Sequence, residues 1–313
     1  MLNRLLGFIG RHGTRSLALG IFLGLALPPL SALARPWLPE SIFVLLVLAF
    51  LRVDVADLLM RARQRAVAIS LTTALMLVAA PLAAGLLVHA LGIGERWPGL
   101  DAALVLQMAA PPIMSAPAIA FLLGLDGALC LIVLVVTIIL TPITAPLMTA
   151  LFLDDALTLS PLDLALRLGF YLVVPMVVAQ AIRRLAGSDR IAAMRYQIDG
   201  ANVAVMTFFA IAIMDGVALR AWNEPMLVIG LTVLSFAIAL ALLVAGGLAF
   251  SGLGGSAGWA LGIAMGNRNM GLMLAVLGAS VPDLTGLYFA IAQFPIYLLP
   301  LIVGGRLSRR AEA

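Results

Sequence analysis

The stretch Trp259-Ala-Leu-Gly-Ile-Ala-Met-Gly-Asn-Arg-Asn-Met-Gly-Leu-Met-Leu-Ala-Val-Leu277 is the most informative in the chain. It is apolar at both ends and long enough to cross a bilayer, which takes about 20 residues. Its middle, however, reads Gly266-Asn267-Arg268-Asn269, one of the most polar tetrapeptides in the chain. A charge at mid-membrane is costly and marks a functional position by default. The expectation is a membrane helix broken around Arg268.

Composition agrees. The 313 residues are 63% hydrophobic and only 11% charged, with a mean hydropathy of +1.14. Soluble domains carry about 25% charged residues, so the chain reads as a polytopic membrane protein. The one cysteine, Cys130, cannot form an internal disulfide, and His12 and His89 are too few and too far apart for a His/Cys metal cluster. All nineteen basic residues are arginines. Loop arginines that set topology explain the net charge of +4. The bilayer is the expected partner, and no nucleic acid is.

Arg4, Arg11 and Arg15 precede an apolar run ending Ala32-Leu33-Ala34, which imitates a cleavable signal peptide. An uncleaved first membrane helix is the expectation, because removing it would leave two unequal halves. Apolar runs bounded by Gly, Pro and charge then predict ten spans. They lie near residues 16–34, 38–52, 66–91, 101–124, 127–153, 162–184, 196–219, 226–250, 257–279 and 283–304. The short second span can extend into the stretch from Arg52 to Leu59.

Arginine placement supports an even count. One side of the expected topology holds Arg4, Arg11, Arg15, Arg52, Arg61, Arg63, Arg65, Arg183, Arg184, Arg190, Arg195, Arg306, Arg309 and Arg310. The other side holds only Arg35, Arg96, Arg167 and Arg220, and Arg268 lies within the membrane. The positive-inside rule puts both termini in the cytoplasm. The compact, Ala/Leu/Arg-heavy chain suggests a bacterial inner membrane.

The fourth span also breaks, at Ala110-Pro-Pro-Ile-Met-Ser-Ala-Pro117. Pro111, Pro112 and Pro117 lack backbone donors and push the residues before them out of helical geometry. Ser115 precedes Pro142 by 27 residues, as Arg268 precedes Pro295 by 27. Pro28 and Pro175 likewise fall late in the first and sixth runs. The chain thus reads as residues 1–155 repeated, inverted, in residues 156–313. Paired broken helices in inverted repeats point to a secondary transporter with its site at the midplane.

Each break must be buried in protein or face a watery cavity. Ser115 or Ala116 can start the second half of span four, and Asn269 can cap the second half of span nine. Both starts turn positive dipole ends toward the break, a setting suited to an anion. Arg268 adds a full charge and a fork of donors that matches a carboxylate or sulfonate. Candidate substrate-binding residues are therefore Ser115, Asn267, Arg268 and Asn269, with Pro111, Pro112, Pro117 and Gly266 shaping the breaks. Structural roles compete with these: Arg268 can form an ion pair with Asp199 or Asp215, Asn267 and Asn269 can serve the broken backbone, and Ser115 can be a cap. Asp215 can be a solvated end residue or a coupling group. No metal or cofactor site is expected.

Gly254-Gly-Ser256-Ala-Gly258 matches the G-x-S-x-G pattern, but a nucleophile elbow needs a strand-to-helix turn with a base and an acid. It is read as a flexible turn. The fourteen methionines read as packing filler.

The two breaks, with Leu123-Gly-Leu-Asp-Gly-Ala-Leu129 and Thr141-Pro-Ile-Thr-Ala-Pro146, resemble the bile acid/sodium symporter family. The resemblance rests on the joint placement of these motifs over nearly the whole chain. It implies an all-α membrane fold of ten transmembrane helices in two inverted five-helix repeats. A panel (residues 16–59 and 162–219) would move against a core (66–153 and 226–304) in which broken helices four and nine cross. Alternating access would carry small organic anions bound between the two. Sodium-coupled members of the family carry Ser-Asn at the first break, a glutamate early in the second broken helix and a Gln-Asn pair at its break. Here those positions hold Ser115-Ala116, Ala264 and Arg268-Asn269, and the family's hydroxyls in span five fall near Cys130 and Leu134. Hard cations need oxygen ligands, so sodium is disfavoured and Arg268 is expected to replace its charge.

The competing readings are a sodium-coupled symporter with a remodelled site and a non-transporting membrane sensor of the same fold. An enzyme lacks a convergent nucleophile and base, and a channel lacks a continuous polar path. Whether the chain works as a monomer or a homodimer stays open.

Overall fold

Proline and glycine decide where these apolar helices stop. The computed structural model describes residues 13–52, 60, 62–153 and 157–312. In chain order the first helices are α1 (Gly13–Ala26), α2 (Pro28–Leu51), α3 (Ala66–Ala90), α4 (Leu100–Ala109), α5 (Ala116–Leu122) and α6 (Gly127–Phe152). Then come α7 (Pro161–Ala186), α8 (Arg195–Ala212), α9 (Pro225–Ala249), α10 (Gly255–Gly266), α11 (Met270–Leu277) and α12 (Asp283–Gly305). Among the described residues all other regular structure is short helical turns, apart from one backbone bridge between Pro112 and Arg268. Among the described residues seven helices are long and apolar enough to cross a membrane. The halves of the broken pairs, α4/α5 and α10/α11, are each too short to do so alone.

Two limits differ from the sequence expectation. The first helix ends at Ala26, not near residue 34, because Pro28 pushes Leu27 out of helical geometry (φ −124°, ψ 70°) and then opens α2 itself. Chain from Pro28 to Leu51 runs on as helix through a 3₁₀ turn at Arg35–Trp37. Pro175, by contrast, is tolerated inside α7. The proposed extension of the second span toward Leu59, and Arg4, Arg11 and Arg61, lie outside the described residues.

The described residues divide into two compact units, those within 1–55 and 170–230, and those within 56–169 and 231–313. In the first, α8 packs on α1 and α2. Gly20 and Gly24 let α1 approach closely: a Cβ at Gly24 would lie 2.7 Å from the Ile211 carbonyl oxygen. Ion pairs tie α2 to the α8 segment near both ends, Arg35 to Asp215 at 3.0 Å and Arg52 to Asp199 at 2.8 Å. Burial lowers the pKa of Arg52, and Asp199 raises it in partial compensation. Arg183 donates to the Leu51 carbonyl at 2.8 Å, closing the C-terminus of α2.

In the second unit α4 packs against α3, α6 and α12, and α10 packs against α5, α6 and α12. A glycine seam brings α9 and α10 together. A Cβ at Gly262 would lie 2.4 Å from the Leu243 carbonyl, and one at Gly266 would lie 2.7 Å from the Ala239 carbonyl. Small residues at this spacing let helix backbones meet where no hydrophobic driving force acts between them. The turn before α10 needs Gly254, whose φ is +97°. Contrary to the reading of Gly254–Gly258 as a flexible turn, helix starts at Gly255, so Ser256 sits in its first turn.

Candidate functional site: the crossing of two broken helices

Each break leaves backbone groups with no partner in its own helix. At the first, Ala109 ends α4 and Ala110 is extended (φ −68°, ψ 146°), the conformation that Pro111 imposes on the residue before it. At the second, α10 ends at Gly266 and α11 starts at Met270. The breaks answer each other: Ile113 N–H donates to the Asn267 carbonyl at 2.8 Å, and Asn269 N–H donates to the Pro111 carbonyl at 2.7 Å. This short antiparallel bridge pairs Pro112 with Arg268.

Arg268 is fully buried. Its Nε donates to the Met265 carbonyl at 3.0 Å, and its Nη1 to the carbonyls of Ala110 at 3.0 Å and Met76 at 3.3 Å. Met265 lies in the last turn of α10, and Ala110 follows the end of α4. Met76 lies in a π-helical turn, Leu75–Ala79, inside α3. Such turns shift backbone pairing by one residue and recur at functional sites. Nη2 is buried without a hydrogen-bond partner. Among the described residues no carboxylate pairs with Arg268; Asp199 and Asp215 pair with Arg52 and Arg35 instead.

The neighbouring polar side chains divide by role. Asn269 caps α11, its Oδ1 accepting from Leu272 N–H at 3.0 Å. Asn267 Nδ2 turns back onto the Ile263 carbonyl at 2.9 Å. Ser115 does not cap α5: its backbone is already helical (φ −83°, ψ −9°) and its Oγ makes no cap bond. Pro117 explains part of this, since it removes one of the two N–H groups a cap would serve. The Ser115 Oγ is left buried and unpartnered. Pro111 and Pro112 lie within the first break, Pro117 in the first turn of α5, and Gly266 at the last position of α10.

Several contributors leave little trace in the sequence. The three carbonyls on Arg268 belong to Met76, Ala110 and Met265, and backbone acceptors have no residue signature. Gln107, one turn before the first break, accepts a 2.6 Å hydrogen bond from the Tyr288 hydroxyl of α12, both side chains buried. A polar residue among apolar neighbours in α4 was the available clue. Gln293 and Tyr297 are also buried on α12, and Gln293 Oε1 and the Tyr297 hydroxyl lack partners.

Ala116, Cys130, Leu134 and Ala264 are the positions at which the family resemblance implies cation ligands. All four are buried, and none offers a side-chain oxygen. The arrangement therefore presents a fixed positive charge, held by backbone carbonyls, with one guanidinium nitrogen and one hydroxyl uncommitted.

The Sodium Bile acid symporter family matches this chain over residues 40–221, more than half of it. The match takes in the first break and ends before the second, where Arg268 lies. Comparison with curated proteins gives no match.

Proposed function

Because the chain belongs to the sodium bile acid symporter family, we propose that it is a secondary transporter, active or facilitative, of small organic anions, working by alternating access without a bound sodium ion. Membership and the multiple apolar helices make it a multi-pass, transporter-like membrane protein. The anion specificity and the sodium independence rest on one observation: an unpaired guanidinium sits in the carbonyl set of the helix crossing.

Sodium does not fit this set. Two unit charges about 4 Å apart repel by roughly 4 kcal/mol at an effective dielectric of 20. No carboxylate among the described residues offsets both, and Ala116, Ala264, Cys130 and Leu134 supply no oxygen. The guanidinium charge takes the place of the ion. An anion would meet Nη2 of Arg268, with the Ser115 hydroxyl and the side chains of Asn267 and Asn269 as further contacts. We place the protein in a bacterial inner membrane on its Ala/Leu/Arg-heavy composition, with both termini cytoplasmic on the arginine asymmetry.

The test is uptake of a panel of carboxylates and sulfonates into proteoliposomes, with and without a sodium gradient, for wild type and Arg268→Gln. Wild-type uptake is expected to be indifferent to sodium, and the variant to lose apparent affinity for the anion. Uptake that needs the sodium gradient would sink the independence reading, and unchanged affinity in the variant would remove Arg268 from the substrate site. Saturable binding with no flux would favour a sensor.

A further inference from the structure

We propose that the carbonyls of Met76, Ala110 and Met265 form a cage for one monovalent cationic charge. Arg268 fills it as a tethered cation, and the cage accepts a free guanidinium ion once that side chain is removed.

The crossing is short of backbone donors. Pro111, Pro112 and Pro117 supply no N–H to the first break. The N–H groups of Ile113 and Asn269 are spent on the bridge between the breaks. The crossing is therefore rich in acceptors. Two of the caged carbonyls, at Ala110 and Met265, lie at the C-terminal ends of half-helices. Each helix C-terminus carries roughly −0.5 of an elementary charge, so the two sum to about −1. One cation neutralises them, and none of the described carboxylates has to take part. Arg268 supplies that charge with Nε and Nη1 on the three carbonyls. Those donors hold the two broken helices and the π-turn of α3 to one point. Arg268 is in this respect a positioning residue for the crossing, whatever Nη2 contacts.

This inference concerns the same site as the transporter reading, but its test needs no substrate. Purified full-length Arg268→Ala in detergent, free of organic anions, is titrated with guanidinium, ammonium, sodium and tetramethylammonium chlorides. Concentrations stay in the low millimolar range at matched ionic strength. The thermal midpoint of the variant is expected to rise saturably by a few degrees with guanidinium, as a ligand that binds only the folded state requires. Tetramethylammonium, which has no N–H donor, should do nothing, and wild type should not respond to any of the four. A variant whose midpoint is as flat as wild type in all four overturns the proposal.

If Arg268→Ala does not fold, Arg268→Lys and Arg268→Met replace it. The lysine variant should melt clearly above the methionine variant, and equal midpoints overturn the proposal. Absent uptake of every anion would count against the transporter reading and leave the cage standing. A flat titration would do the reverse.

Discussion

Pro112 and Arg268 face each other across an antiparallel backbone bridge, the only such pairing among the described residues. A helix break in a membrane strands polar backbone that lipid cannot satisfy. Here each break supplies the other's partner, through Ile113 to Asn267 and Asn269 to Pro111. The two amides should therefore exchange slowly with solvent although they belong to no helix. Hydrogen exchange resolved to residues 110–116 and 266–270 is expected to show protection close to that of α4 and α10. Exchange as fast as an exposed loop would mean the bridge does not persist. Ile113→Pro removes one donor and should cost about 1–3 kcal/mol, the penalty for a buried acceptor left unpaired.

The glycine seam makes a sharper steric prediction. At Gly262 an added methyl would meet the Leu243 carbonyl at 2.4 Å and the Gly247 nitrogen at 2.9 Å, and backbone atoms cannot rotate away. Gly262→Ala should destabilise by about 1–3 kcal/mol, the usual cost of overpacking. Gly230, in the same α9, has open space where its Cβ would stand. Gly230→Ala should be neutral or stabilising by up to about 1 kcal/mol, since glycine inside a helix is the poorer choice. Thermal midpoints of the two variants measured side by side decide this, and equal losses would refute the seam.

The sequence showed where the chain breaks but not what the breaks hold. Proline clusters and the tetrapeptide Gly266–Asn269 are local departures from an apolar background, so both breaks were readable. The partners of Arg268 were not, because a carbonyl at Met76 looks like any other until a π-turn presents it. Asp199 and Asp215 were plausible counter-ions on chemistry alone, and only the fold shows them paired to Arg52 and Arg35. Ser115 has the residue type of a cap, but Pro117 removes one of the N–H groups a cap would serve, and the Ser115 Oγ makes no cap bond. The four-residue spacing of Gly258, Gly262 and Gly266 is itself a sequence mark of close helix packing.

The ion pair of Arg35 and Asp215 bears on coupling. Their side chains are 62% and 24% exposed, and exposed pairs contribute about 0–1 kcal/mol. Asp215→Asn should shift stability by less than about 1 kcal/mol and leave the pH profile of anion uptake unchanged. A profile that flattens in the variant would instead make Asp215 a proton-coupling group.

Gln107 and Tyr288 provide the last test, because they fasten the helix that ends at the cage. The Tyr288 hydroxyl donates to Gln107 Oε1 at 2.6 Å within the buried interface of α12 and α4. Gln107 stands one turn before Ala110, whose carbonyl accepts from Arg268. Tyr288→Phe removes the donor without changing the packed shape, which leaves the amide oxygen buried and unpaired at a cost of about 1–3 kcal/mol. Adding Gln107→Leu removes the orphaned acceptor as well. The double variant should therefore recover much of what the single variant loses, since replacing both partners by apolar groups is close to neutral. Any transport deficit in Tyr288→Phe should recover in parallel, because it would arise from displacement of α4 at the cage. A double variant no more stable than Tyr288→Phe would show that the hydrogen bond is not what positions α4.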